Sequence, residues 1–304
     1  MRTAIPLTVL ATALACSLAS VPANARARVF VASYGNDANP CTFLSPCKTF
    51  QNAVNVVDPG GEVTAIDSAG FGPVDINKAV TITSPTGVEA GIAASPAGNA
   101  ITINAPGAAV SLRGLTLEGG ATGAYNGISF NSGAKLDIID CAVRDYQVAG
   151  ISLGPATGAQ ITIAGSYISN NGTGIALSSG SGTVYLAVEH AVMTDNGLAI
   201  NALAGSGDMD LTIANSSISH SDNYGLQTGS LGGGNVSAKL INVVFEDTQG
   251  NAIYAQAGSS VTMSQVNDGH DAGGLAINGG TITSDNTNHY PSVSGGSVGS
   301  YAFK

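Results

Sequence analysis

Five polar residues recur along the chain at nearly constant intervals. Asp145, Asn170, Asp195, His220 and Asp247 are spaced 25, 25, 25 and 27 residues apart. A histidine between two aspartates is an acid–base arrangement, because an imidazole held by carboxylates exchanges a proton near neutral pH. If the row stacks, Asp195, His220 and Asp247 are the candidate catalytic residues. Asp145 and Asn170 extend the same row as candidate substrate contacts. The competing explanation is as specific: Asn, Asp and His at the end of a short strand cap turns by bonding to backbone.

Two further clusters carry less chemistry. Asp208 and Asp210 in "GDMD" supply the oxygen donors that Ca²⁺ accepts, and they are the weak candidates for a metal. Asp268, His270 and Asp271 in "VNDGHDAGG" make a polar loop without the spacing of a metal motif. Beyond this possible Ca²⁺, no cofactor is expected.

The spacing of the polar row follows a longer repeat. The first apolar residue of each "GI-x-L" phrase falls at Ile101, Ile128, Ile151, Ile175, Ile200, Leu226, Ile253 and Leu275, in steps of 22 to 27 residues. Within each phrase apolar and polar residues alternate, which is the period of a β-strand. A second alternating phrase follows, then a bend at Asp140, Gly165, His190, Asn215 or Asn242, then one more apolar position: Val143, Ile168, Met193, Ile218 or Phe245. Three short strands and three turns per repeat leave no room for a helical stripe. One coil cannot bury its apolar row alone, but stacked coils bury a continuous core and pair each backbone edge with the next. The expected fold is all-β, a parallel β-solenoid of about eight coils.

That architecture allows a face to be read. Alternation turns Thr102, Ser129, Ser152, Ala176, Asn201, Gln227, Tyr254 and Ala276 outward on the "GI-x-L" strands. None is charged, so this face lacks both the paired carboxylates of glycoside hydrolysis and a base for β-elimination. Tyr254 is its one aromatic and a candidate substrate contact.

The N-terminal block "ASYGNDANPCTFLSPCKTFQNAVNVVDPGGEVTAI" resembles the start shared by many right-handed parallel β-helix proteins, the pectate-lyase-like superfold. Cys41 stands where a Gly is usual in that pattern, and Gly61-Glu62 where Gly-Asp is usual. The resemblance implies that the block caps the solenoid. It also implies that the bend row is an asparagine ladder, and that a polysaccharide-cleaving site would lie on the outer face of one sheet and its loops. The residues agree about the cap: Phe50, Ala53, Val54 and Val57 make one apolar helical face within residues 48–57, which Pro59-Gly60 ends.

Composition bounds the rest. The chain has 304 residues, 41 of them Gly, with 10% charged and no Trp, which fits a turn-rich β protein better than a disordered one. Residues 1–25 read as a secretory signal, with Arg2 before an apolar run and "ANA" as a cleavage site. The run is too short and too poor in large apolar residues for a membrane span. In an exported protein, Cys41 and Cys47 in "CTFLSPC" are expected to form a local disulfide, and Cys141 to be a buried small apolar residue. A net charge of −10 repels nucleic acid and polyanionic glycans, so no nucleic-acid partner is expected.

The expected organisation is a signal at 1–25, a cap at 26–79, coils at 80–284 and a Ser/Gly-rich tail at 285–304, in a secreted, periplasmic or cell-surface protein. The expected function is a non-catalytic surface or envelope scaffold, or a protein that contacts a polysaccharide or cell-surface glycan. The alternative is a polysaccharide lyase or glycoside hydrolase working through the Asp195–His220–Asp247 row.

Overall fold

The computed structural model describes residues 26–120 and 123–301. The signal expected at 1–25 lies outside the described residues. The described residues wind into a parallel β-solenoid. One coil is made of strands Ala149–Leu153, Ala159–Ala164 and Tyr167–Ser169, and the next of Thr173–Ser178, Val184–Glu189 and Val192–Thr194. Each strand pairs in parallel with its counterpart one coil away, so Ile151 faces Ile175, Ile161 faces Leu186, and Ile168 faces Met193.

The first strands of the coils form a ten-stranded sheet, and the second and third strands form a nineteen-stranded one. The larger sheet bends where the sequence places Asp140, Gly165, His190, Asn215 and Asn242, all with φ between 50° and 60°. These residue types tolerate the left-handed region that such a corner requires. In two coils the strand runs through the corner without a break, as Met209–Ser219 and Val236–Glu246.

Stacked apolar rows fill the interior. Ile101, Ile128, Ile151, Ile175, Ile200, Leu226, Ile253 and Leu275 are all fully buried. Their pairing reproduces the repeat steps read from the sequence. Each such side chain contributes about 1.5–3 kcal/mol of burial, and the rows give that stabilisation a direction along the axis.

With ten first strands, the solenoid has about nine full turns, close to the count expected from the repeat. Val74–Ile76 pairs with Ile101–Ile103 before the first expected strand, and Val293–Ser294 pairs with Leu275–Ala276 after the last. Gly299–Ser300 likewise continues the larger sheet beyond Thr283–Ser284. Coil pairing therefore extends past both ends of the 80–284 segment. The outer strands escape notice because two or three residues of alternation carry almost no periodic signal.

At the N-terminus the helix Phe50–Val56 buries Phe50, Ala53 and Val54, and the Phe50 ring lies 5.0 Å from that of Phe71. Thr49 caps it by accepting from Asn52 N–H. Asp37 fixes that cap: Oδ1 accepts from Lys48 and Thr49 N–H, and Oδ2 from the Thr49 hydroxyl. Cys41 and Cys47 are disulfide-bonded, with Cα atoms 4.6 Å apart. Cys141 is a free, buried thiol.

Candidate functional site

The polar row predicted from sequence does stack, and its backbone explains its composition. Asp145, Asn170, Asp195, His220 and Asp247 have φ of 67°, 54°, 56°, 51° and 54°. All five occupy left-handed corners, where Asn, Asp and His are enriched several-fold over other non-glycine residues. Their side chains stay near water. His220 Nε2 lies 3.6 Å from Asp247 Oδ2, and these side chains are 57% and 49% exposed. Asp195 accepts from the Thr194 hydroxyl at 3.1 Å. Asn170 donates to Asp145 Oδ1 at 2.6 Å, and Asp145 also approaches Arg144 at 3.9 Å. Asp145 and Asn170 line an open depression of about 480 Å³ with Gly120, Tyr146 and Gln147.

One residue after this row lies a second one that the sequence reading passed over. Tyr146, Asn171, Asn196, Ser221, Thr248 and Asp271 are all buried. Asn196 Oδ1 accepts from Asn171 N–H at 3.1 Å and from Asn171 Nδ2 at 3.0 Å, while its Nδ2 donates to the Ile168 and Thr194 carbonyls. Asn171 Oδ1 in turn accepts from Tyr146 N–H. This is an internal asparagine ladder that satisfies backbone groups no water reaches. It also explains the glycine of "GI-x-L": a Cβ on Gly174 would stand 2.6 Å from the Ala199 carbonyl and 3.3 Å from Asn196 Cγ. The bend row, expected to be the ladder, holds one such step, from Asn242 Nδ2 to Asn215 Oδ1 at 2.9 Å.

The outer face of the ten-stranded sheet carries the predicted row in register: Thr102, Ser129, Ser152, Ala176, Asn201, Gln227, Tyr254 and Ala276. The expectation of an uncharged row needs one correction, since the added first strand places Asp75 at its N-terminal end, beside Thr102. Tyr254 has a partner that alternation along a single strand did not reveal. Its ring stacks on Tyr224 from the preceding coil, with centroids 4.8 Å apart and planes at 27°. The Tyr254 hydroxyl accepts from Asn278 Nδ2 at 2.8 Å. Asn126 to Asn99 and Asn131 to Asn104 form further amide pairs across coils, both at 3.0 Å.

The proposed acidic clusters separate. Asp208 Oδ1 accepts from Asn235 N–H at 2.8 Å, whereas Asp210 sits in register with Tyr185 on the larger sheet, lining a shallow groove of about 330 Å³ with Lys135 and Gln160. Among the described residues, no group of three or more His, Cys, Asp or Glu is placed to hold a metal. Asp268 and Asp271 do come together inside the solenoid, toward its C-terminal end. Burial, then the neighbouring Asp271 carboxyl, hold Asp268 well above the usual carboxylate range.

Comparison with known proteins places this geometry in context. A family model described as a right-handed beta helix region matches residues 126–289. A pectate lyase structure superposes with a TM-score of 0.63 at 13% identity, over 90% of this chain and 77% of that one. A rhamnogalacturonan lyase superposes with a TM-score of 0.50 at 12% identity, over 84% and 75%. No curated protein sequence matches the chain. At these identities the likeness concerns the fold.

Proposed function

The chain belongs to the right-handed β-helix family, and from that premise we propose that it is an exported, non-catalytic solenoid that holds a neutral polysaccharide or cell-surface glycan against its ten-stranded sheet. The observation that carries this reading is the Tyr224–Tyr254 stack set among amides and hydroxyls on that face. Aromatic surface receives the apolar C–H face of a sugar, while Gln227 and Asn278 offer donors and acceptors to its hydroxyls. Strand spacing of roughly 4.8 Å presents those groups at close, regular intervals along the axis. The two superposed structures are a pectate lyase and a rhamnogalacturonan lyase by name, which supports polysaccharide as the ligand class. A net charge of −10 disfavours polyanions and so favours a neutral polymer.

Export is supported by the Cys41–Cys47 bridge, since disulfides persist in oxidising compartments. No helix among the described residues is long and apolar enough to cross a membrane. The non-catalytic part of the reading rests on the corner row, whose residue types follow from its left-handed backbone. A second reading draws on one contact, His220 to Asp247 at 3.6 Å, which makes a lyase or hydrolase at that corner the alternative.

Affinity electrophoresis through gels containing neutral or uronic-acid polysaccharides separates the two. The proposal expects retardation by a neutral polymer, weakened at least tenfold in Tyr224→Ala/Tyr254→Ala and unchanged in His220→Ala. Absence of retardation by any polymer, or polymer cleavage that His220→Ala abolishes, would overturn it.

A further inference from the structure

The inward rows follow one rule through the coils: an apolar residue is followed three positions later by a ladder residue. Ile218 precedes Ser221, and Phe245 precedes Thr248. At the next step both members are acids, Asp268 and Asp271. Asp268 pairs in register with Phe245, so a carboxylate occupies a position of the apolar row. It is 0% exposed, and Asp271 is 7% exposed.

The partners of these groups are incomplete in a specific way. Asp271 Oδ1 accepts from Thr248 N–H, which fixes the carboxylate against the coil before it. The Asp268 and Asp271 carboxyls meet each other; otherwise Asp271 Oδ2, both oxygens of Asp268 and the Thr248 hydroxyl have no hydrogen-bond partner among the described residues. Thr248 is an independent sign of a ligand: it is 1% exposed, and its own N–H holds Asp271 beside it. None of the ion pairs among the described residues involves either acid. The His289 ring meets the Asp268 backbone carbonyl, with Nδ1 at 3.3 Å. Buried charge without a partner is not tolerated in a packed interior.

A proton shared between the two carboxyls would serve one oxygen of each. It would leave the second Asp268 oxygen and the Thr248 hydroxyl unserved, with one negative charge still buried. A divalent cation would neutralise both charges and accept the oxygens that a shared proton leaves unserved. We propose that Asp268, Asp271 and Thr248 form an internal binding site for one hard divalent cation of the Ca²⁺ class. Every available donor is oxygen, and Ca²⁺ accepts bidentate carboxylates and irregular geometry where Mg²⁺ demands an octahedron. The ion would tie the coil containing Thr248 to the coil containing Asp271, toward the C-terminal end of the solenoid. This site is independent of the glycan reading and of the Asp208–Asp210 pair.

The test begins with the whole protein stripped by chelator and dialysed against CaCl₂. The expected result is uptake of one calcium per chain by mass spectrometry of the metal, with a melting temperature raised by several degrees and lowered again by chelator. Asp271→Asn should weaken uptake at least tenfold, while Asp208→Asn/Asp210→Asn should leave it unchanged. No uptake by the wild-type chain, with a melting temperature indifferent to Ca²⁺, would overturn the site and leave a shared proton as the partner of the pair. Uptake lost only in the Asp208→Asn/Asp210→Asn variant would also overturn it. Should Asp271→Asn not fold, wild-type uptake and the Asp208→Asn/Asp210→Asn control still decide.

Discussion

Substituting two adjacent residues, Asp195 and Asn196, should have opposite consequences. Asn196 is 0% exposed and makes four hydrogen bonds: two accepted from Asn171 and two donated to the Ile168 and Thr194 carbonyls. Asn196→Ala leaves the buried Asn171 N–H without an acceptor, a loss of about 1–3 kcal/mol by itself. The two carbonyls lose their side-chain donor, and a cavity opens beside Gly174, which brings the expected total to about 3–5 kcal/mol. Asn196→Asp should be no milder at neutral pH, because a carboxylate cannot donate to those carbonyls. Asp195 is a corner residue with φ of 56° and one local bond. Asp195→Gly removes a left-handed strain and should change stability by less than about 1 kcal/mol. Urea denaturation followed by circular dichroism or tyrosine fluorescence measures both, since the chain has nine Tyr and no Trp. An Asn196→Ala loss below about 1 kcal/mol, or a larger loss for Asp195→Gly, would refute the division between buried ladder and exposed corner.

Two further outcomes follow from the same structure. Removing the Cys41–Cys47 bridge as Cys41→Ser/Cys47→Ser should cost about 2 kcal/mol, the loop-closure value for so short a ring, read from the denaturation midpoint. Cys141 is 2% exposed, and burial pushes its thiol up to about 11. In the native protein Cys141 should therefore resist a thiol-specific maleimide at pH 8 and label only after denaturation. Rapid labelling of the native fold would show that the interior at Cys141 opens.

The coil register was legible because strand alternation and a 22-to-27-residue step are both periodic. Ile151, Ile175 and Ile200 pair as those steps require. The cap was legible because Phe50, Ala53 and Val54 keep a helical period before Pro59. The internal ladder was not, because Asn171 and Asn196 follow corner residues and look like more turn composition. Their burial becomes visible only once the coil places them inside. Tyr224 was missed as the partner of Tyr254 because the two meet diagonally across coils, a relation that alternation along one strand does not express. Asp268 was legible as a polar loop residue but not as a member of the apolar row, since one acid breaks the pattern that would reveal its register. Asp195, His220 and Asp247 were correctly stacked by their spacing. What spacing did not carry was the left-handed backbone, which supplies a reason for their types without chemistry.

Glycan binding without cleavage on the outer face of the ten-stranded sheet, as proposed, has two halves: retention of the polymer and its survival. Size-exclusion chromatography with light scattering tests both halves together, after prolonged incubation of the protein with a retarding neutral polysaccharide. Protein is expected to co-elute with polymer of unchanged molar mass, and Tyr224→Ala/Tyr254→Ala to elute apart from it. A fall in polymer mass, or co-elution that survives the loss of both tyrosines, would contradict it.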